Sequence, residues 1–297
     1  MDPLIILFGF GVGILVGTTG IGGGSLMTPI LILIFGFKPT TAIGTDLAYG
    51  AITKTVGGYR HWKQKTVDFG LSTWMAFGSV PAAIAGVYVL KRLEDAFGKG
   101  FDNALLIAVA GALLLTGIVI LARLLLPSGE LNERHSSPLD RRHKIAAVSL
   151  GASVGFVLGV TSAGSGSLIA VGLIMAFRLT PKRVVGTDVF HAAILLWAAA
   201  IAHVIAGNVD FGLAGTILIG SIPGVWIGSG LTMRLPVGVM RATLAVVLVG
   251  AGLALIQKAD VGLSPAVVVA TPVAIGIIAW LVRLVRQSDR APVPEKV

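Results

Sequence analysis

Thr18-Thr19-Gly20-Ile21-Gly22-Gly23-Gly24-Ser25 interrupts an apolar run from about Leu4 to Gly36, and Thr161-Ser162-Ala163-Gly164-Ser165-Gly166-Ser167 interrupts another from about Ile145 to Phe177. Each run is 33 residues long, about 50 Å if it formed one helix at roughly 1.5 Å per residue. The hydrocarbon core of a bilayer is only about 30 Å thick. Glycine and serine are poor helix formers, so each run is read as two shorter helical limbs joined at a break.

The breaks are copies of one another. Residues 9–86 laid over 151–228, at a constant offset of 142, give 28 identities without a gap. These include Gly22/Gly164, Gly24/Gly166, Ser25/Ser167, Pro39/Pro181, Gly44-Thr45-Asp46 with Gly186-Thr187-Asp188, His61/His203, Val67 to Leu71 with Val209 to Leu213, and Pro81/Pro223. Such a match is the mark of an internal duplication. The first transmembrane repeat is assigned to residues 1–123, a cytoplasmic linker rich in Arg, His and Ser to 124–143, and the second repeat with an extra C-terminal helix to 144–297.

Composition names the solvent. Apolar residues make up 55% of the 297 positions, charged residues 12%, and the mean hydropathy is +0.91. A lipid bilayer is the environment such a chain requires. The formal charge of +9 sits in short clusters between apolar runs, which fits the positive-inside rule and not a phosphate-tracking stripe, so no nucleic-acid partner is implied. Without cysteine there is no disulfide, thiolate nucleophile or Cys-ligated metal. No removable signal peptide, metal constellation, nucleotide-binding motif or cofactor is read.

Membrane-spanning stretches cover roughly Thr40–Gly58, Phe69–Leu90, Phe101–Leu121, Val184–Ile205, Phe211–Met233, Val237–Ile256 and Pro265–Leu284, and lipid demands that they be helical. The fold class expected is an all-α polytopic membrane protein with about seven full spans. The basic clusters Arg60 to Lys65, Arg123 with Arg134 to Lys144, Arg178 with Lys182-Arg183, Arg234 with Arg241, and Arg283 to Arg290 should all be cytoplasmic. They fall on one side only if each 33-residue run enters and leaves the membrane on the same face. The expectation is therefore two re-entrant hairpins, an odd number of crossings between equivalent positions, and two inverted homologous repeats, a recurrent plan of secondary transporters.

In that arrangement the second limbs begin inside the membrane, with helix N-termini that attract anions. Gly22, Gly23, Gly24, Gly164 and Gly166 would let a substrate approach the backbone, and Thr18, Thr19, Ser25, Thr161, Ser162, Ser165 and Ser167 would offer hydroxyls. Close helix packing is the alternative use of such small residues. Asp46 and Asp188 lie inside spans, where a carboxylate must be paired or wetted. With His191 they are the candidate proton-coupling or gating residues; capping or hydrogen-bonding the adjacent hairpin, through Thr45 and Thr187, is the competing role of the two aspartates, and helix packing that of His191. Lys54, with Leu196 as its counterpart, is expected either to attract the anion or to snorkel to the interface. Asp68 and Asp210 read as helix N-caps.

The motif Gly20-Ile21-Gly22-Gly23-Gly24-Ser25-Leu26-Met27-Thr28-Pro29, followed by Pro39 and Gly44-Thr45-Asp46, resembles the TauE/SafE family of sulfite exporters, also called the 4-toluenesulfonate uptake permease family. The likeness runs over nearly the whole chain. It implies a multi-pass carrier of the bacterial inner membrane that moves sulfite or an organosulfonate, by export in the family's usual description. The second break is poorer in glycine than the first, so the half-sites need not meet substrate equally. Another small anion such as a carboxylate or thiosulfate, an anion channel, and a homo-oligomeric assembly remain open. An intramembrane serine hydrolase is a remote alternative, because the duplicated Ser25 and Ser167 have no duplicated interior histidine to act as base; no enzymatic activity is expected.

Overall fold

The computed structural model describes residues 3–19, 24–98, 100–125, 139–231 and 237–288. Among the described residues every regular element is a helix. The order is α1 (Pro3–Thr19), α2 (Gly24–Leu33), α3 (Pro39–Lys63), α4 (Phe69–Phe97), α5 (Gly100–Leu125), α6 (Arg141–Thr161), α7 (Ser165–Met175), α8 (Pro181–Ile205), α9 (Phe211–Leu231), α10 (Val237–Lys258) and α11 (Pro265–Ser288). The second 33-residue run is broken where its glycine and serine cluster stands, α6 from α7, and in the first run α1 and α2 lie on either side of residues 20–23. The limbs of each run fold back on one another. Phe8 and Phe35 meet edge to face with ring centroids 5.4 Å apart, and Gly172 of α7 lies against Leu150 of α6.

Among the described residues six helices are long and apolar enough to cross a membrane: α4, α5, α6, α8, α9 and α10. This set differs from the seven stretches read from sequence in three ways: α3 and α11 are not in it, the latter counting only as the shorter apolar helix Pro265–Ile278, and α6 is added. α3 is 25 residues long but carries Asp46, Lys54, Arg60 and Lys63, which dilute its hydropathy. The first limb of the second broken run, α6, is by itself 21 residues, or about 31 Å. Large apolar side chains cover the outside, Trp226 at 80% and Ile205 at 82% exposure among them, as a lipid-facing surface requires.

Packing follows the duplication. The α1 residues Ile6, Phe10 and Ile14 present carbonyl oxygens to Gly220, Gly224 and Gly228 of α9, numbers rising together, so these helices run side by side in one direction. In the other half, Val148 and Phe156 of α6 present theirs to Gly78 and Gly86 of α4 in the same sense. Gly78/Val148 and Gly220/Ile6 are thus one contact made twice, at the offset of the repeat. Helix pairs that repeat-match each other instead run antiparallel. Gly50 of α3 faces Leu196 of α8 while Gly57 faces Val189, and Gly117 of α5 faces Val249 of α10 while Gly252 faces Leu114. Backbones come this close only where a Cβ is missing, the usual means by which helices associate in lipid.

The turns into α4 and α9 are built alike. Asp68 Oδ1 accepts from the backbone N–H of Leu71 at 3.1 Å, and Asp210 Oδ1 from that of Leu213 at 2.9 Å, so both residues are the N-caps expected from their position. Their own N–H groups reach across the repeats: Asp68 N–H donates to Thr187 Oγ1 at 2.9 Å, and Asp210 N–H to Thr45 Oγ1 at 3.1 Å. The shared Gly-Thr-Asp triplet thereby pins the start of α4 to α8 and the start of α9 to α3. Basic residues gather at one end of the bundle: Arg183 pairs with Asp68 at 3.6 Å, Lys144 lies 5.0 Å over the Trp74 ring, and His143 stacks near Phe177 at 6.1 Å.

Candidate functional site

The second break is a tight reversal. Ser162 ends α6 in the left-handed region, with φ 58°, and Gly164 precedes α7 with φ 98°; the latter is a conformation that glycine adopts freely and residues with a Cβ resist. The N-cap of α7 is a glycine, which has no side chain with which to cap the helix, and the N–H groups of a helix's first turn have no intrahelical partners. Thr116 of α5 reaches this turn, its Oγ1 3.7 Å from where a Gly164 Cβ would stand. That hydroxyl is buried and has no hydrogen-bond partner among the described residues.

At the same turn three oxygens from three elements converge. Thr28 Oγ1 of α2 donates to Asp46 Oδ2 of α3 at 2.7 Å, Ser162 Oγ donates to the same oxygen at 3.0 Å, and Thr28 Oγ1 and Ser162 Oγ lie 2.6 Å apart. All three residues are buried. The second limb of the first broken run therefore touches the break of the second, and Asp46 ties the two together. Asp46 thus hydrogen-bonds the adjacent hairpin, as its competing role has it, but through Thr28 and not through Thr45, whose hydroxyl accepts from Asp210 N–H.

The remaining sequence candidates divide. Thr18 Oγ1 donates to Leu15 O at 3.0 Å and Thr161 Oγ1 to Val157 O at 2.7 Å, so both threonine hydroxyls are turned onto their own helices. Gly166 is buried in the first turn of α7, and Gly24 opens α2. Gly22 and Gly23 lie outside the described residues, as do the side chains of Thr19, Ser25, Ser165 and Ser167. Asp188 is buried on α8 and is felt electrostatically by Lys54. Lys54 itself is 8% exposed, and its Nζ is buried with no hydrogen-bond partner among the described residues. Snorkelling to the interface is thus corrected: the amine stays inside the bundle. His191 is fully buried, with Nε2 3.2 Å from Ser79 Oγ; its repeat counterpart Tyr49 and the Ser79 counterpart Ser221 are buried too.

Thr28 was not among the sequence candidates. It stands in the first glycine motif, but the repeat aligns it with Ala170, so comparison of the halves pointed away from it. Its only signal was a hydroxyl one turn past a helix start in an otherwise apolar limb.

An apolar helical bundle, with two broken helices that meet through buried polar groups, defines a multi-pass membrane protein of the transporter class. The chain belongs to the family described as sulfite exporter TauE/SafE, whose pattern it matches over residues 5–255. It is 40% identical over 257 residues to the probable membrane transporter protein YjnA of Bacillus subtilis, covering 86% of this chain and 100% of that one. It is 29% identical to the probable membrane transporter protein YdhB of the same organism, over 85% and 99% of the two chains. The probable membrane transporter protein MJ0441 of Methanocaldococcus jannaschii is 30% identical over 195 residues, 63% of this chain and 66% of that one. No solved structure matches the chain.

Proposed function

We propose that this protein is a secondary transporter of a small sulfur-containing oxyanion, sulfite or an organosulfonate, working by alternating access in the export direction from the bacterial inner membrane. In this reading residues 1–123 and 144–297 are inverted repeats joined by a cytoplasmic linker at 124–143. The two broken runs are re-entrant hairpins entering from opposite faces. Antiparallel packing of α3 on α8 and of α5 on α10, together with parallel packing of α1 on α9 and of α6 on α4, is what a two-fold axis in the membrane plane would produce. The gathering of Arg183, Lys144 and His143 at one end agrees with a single cytoplasmic face.

The observation that carries the proposal is the contact of Thr28 with Ser162. It brings the α2 limb of one hairpin to the turn of the other, next to the open N-terminus of α7, where backbone N–H groups and helix dipole favour an anion. Glycine breaks there allow the guest to reach the backbone, and Ser162, Ser165 and Ser167, with Thr19 and Ser25 in the first half, supply further donors. Asp46, Asp188 and His191 serve in coupling or gating, and their neighbourhood to neutral hydroxyls and to Lys54 keeps negative charge off the anion path. Nothing in this site calls for a cofactor.

The test is flux. Purified protein in liposomes should move labelled sulfite under an imposed pH or voltage gradient, saturate with concentration and show counterflow, which separates a carrier from a channel. Absence of sulfite flux under both gradients removes sulfite as the substrate, and a panel of thiosulfate, sulfoacetate, taurine and oxalate then decides among the other anions.

A further inference from the structure

The triangle formed by Thr28 Oγ1, Asp46 Oδ2 and Ser162 Oγ has edges of 2.7, 3.0 and 2.6 Å. All three are O–H···O distances, and three such edges require three hydrogens. The two hydroxyls bring two, and an ionised carboxylate brings none. Whichever way the hydroxyls turn, one edge is then left with lone pair facing lone pair. If both donate to Asp46, the bare edge is the shortest one, between Thr28 and Ser162. A hydrogen on Asp46 Oδ2 resolves the count: each oxygen donates once and accepts once around a closed ring. The other carboxyl oxygen, Oδ1, is buried with no hydrogen-bond partner among the described residues, a setting in which a neutral carbonyl is tolerated far better than half of a charged carboxylate.

We propose that Asp46 is the binding site of the coupling ion, that this ion is a proton, and that the protonated ring is a latch holding the α2 hairpin limb on the Ser162 turn. The inference rests on the transport reading above and deepens it. When the hairpins part, water reaches Asp46, the proton leaves to that water, and the ionised carboxylate can no longer close the ring. Reprotonation restores the third hydrogen and with it the docked state.

Applying the repeat offset to Asp46, Thr28 and Ser162 gives Asp188, Ala170 and Gly20, and neither Ala nor Gly has a side-chain hydroxyl, so the repeat-equivalent residues cannot make the same ring. The titratable and charged groups of the elements packed on α3 are few. α3 itself carries Tyr49, Lys54, Tyr59 and the basic residues at its end; α4 brings Glu94, which accepts from Thr40 Oγ1 at the start of α3 at 3.5 Å; α8 carries Lys182, Arg183, Asp188, His191 and His203; α5 carries Asp102 and Arg123 at its two ends; α2 and α9 carry none. Lys258 of α10 donates to Ile32 O at the far end of α2, at 2.5 Å.

Infrared difference spectroscopy of the reconstituted wild-type protein during a pH titration tests the latch. The expected result is a carboxylic-acid C=O band that shifts in D2O, disappears as pH rises, and is missing in Asp46→Asn. In Thr28→Val, and separately in Ser162→Ala, the acid loses a ring partner, so its C=O band should move away from the wild-type frequency; an unmoved band in both would overturn the ring. The two variants guard against misfolding of either. A wild-type protein with no such band, a band that survives Asp46→Asn, or transport that needs sodium and leaves the band unchanged would overturn the proposal. Sulfite flux without the band rejects the latch and leaves the transport reading standing; the band without sulfite flux does the reverse.

Discussion

Gly86→Ala is the sharpest probe of how this bundle is held together. A Cβ on Gly86 of α4 would stand 2.8 Å from the carbonyl oxygen of Phe156 in α6 and 3.3 Å from Val160 Cγ2. Carbon and carbonyl oxygen come no closer than about 3.3 Å in favourable contacts, so α4 and α6 would have to separate by several tenths of an ångström. The blocking atom belongs to the backbone and cannot swing away. Overpacking of this kind costs about 1–3 kcal/mol, and in lipid there is little hydrophobic force between helices to offset it. The displaced helix ends in Thr161, one residue before Ser162, so the shift is delivered to the bond between Ser162 and Asp46. The expected outcome is a lower unfolding midpoint in a lipid-detergent mixture, by about 2–4 °C for each kcal/mol, together with reduced anion flux. Gly228→Ala, the repeat counterpart packed on Ile14 O, should behave alike. Gly111 of α5 has nothing within 4 Å, and Gly111→Ala should leave the midpoint unchanged or raise it. If Gly86→Ala is as harmless as Gly111→Ala, the close approach of α4 and α6 is wrong, and with it the placement of Ser162.

Further outcomes follow from the same geometry. Thr45→Val and Thr187→Val each leave a backbone N–H, that of Asp210 or Asp68, without its side-chain acceptor, so each should lower stability by about 1–3 kcal/mol and by similar amounts, read as two matched shifts in thermal unfolding. Lys54 is within electrostatic reach of Asp188, so the stability changes of Lys54→Met and Asp188→Asn should be non-additive in thermal unfolding, and strict additivity in that double-mutant cycle would show that the two do not interact. Gly164→Ala places a Cβ at φ 98° and 2.9 Å from Leu168 Cδ1, a strain of about 1–3 kcal/mol at the turn itself. Its sulfite flux should fall while the protein remains in the membrane, and unchanged flux would count against this turn as the site.

Much of the architecture was legible without coordinates. Helical spans follow from hydropathy because lipid leaves no other way to satisfy the backbone, and the breaks follow from residues that stabilise a helix poorly, placed midway in runs too long for one crossing. The duplication made each reading double: Asp68 and Asp210 cap their helices as the repeated sequence indicates, and the glycines at matched positions make matched contacts. These are local or periodic properties, written in consecutive residues.

Partnership across the bundle was not legible. Asp46 reaches Thr28, 18 positions back, and Ser162, 116 positions ahead; no spacing rule links them, because their meeting depends on how α2 and the α6–α7 turn lie against α3. Lys54 could have extended to the interface by its length and charge, and only the neighbours packed around α3 keep its amine inside. The repeat itself misled at Thr28 and Asp188, since equal sequence ancestry does not give equal surroundings. By itself the chain of residues determined a duplicated helical membrane protein with two softened helices. Tertiary packing decided which polar groups face each other, since a buried hydrogen bond depends on atoms within about 3 Å, and that nearness is created only when distant helices close on one another.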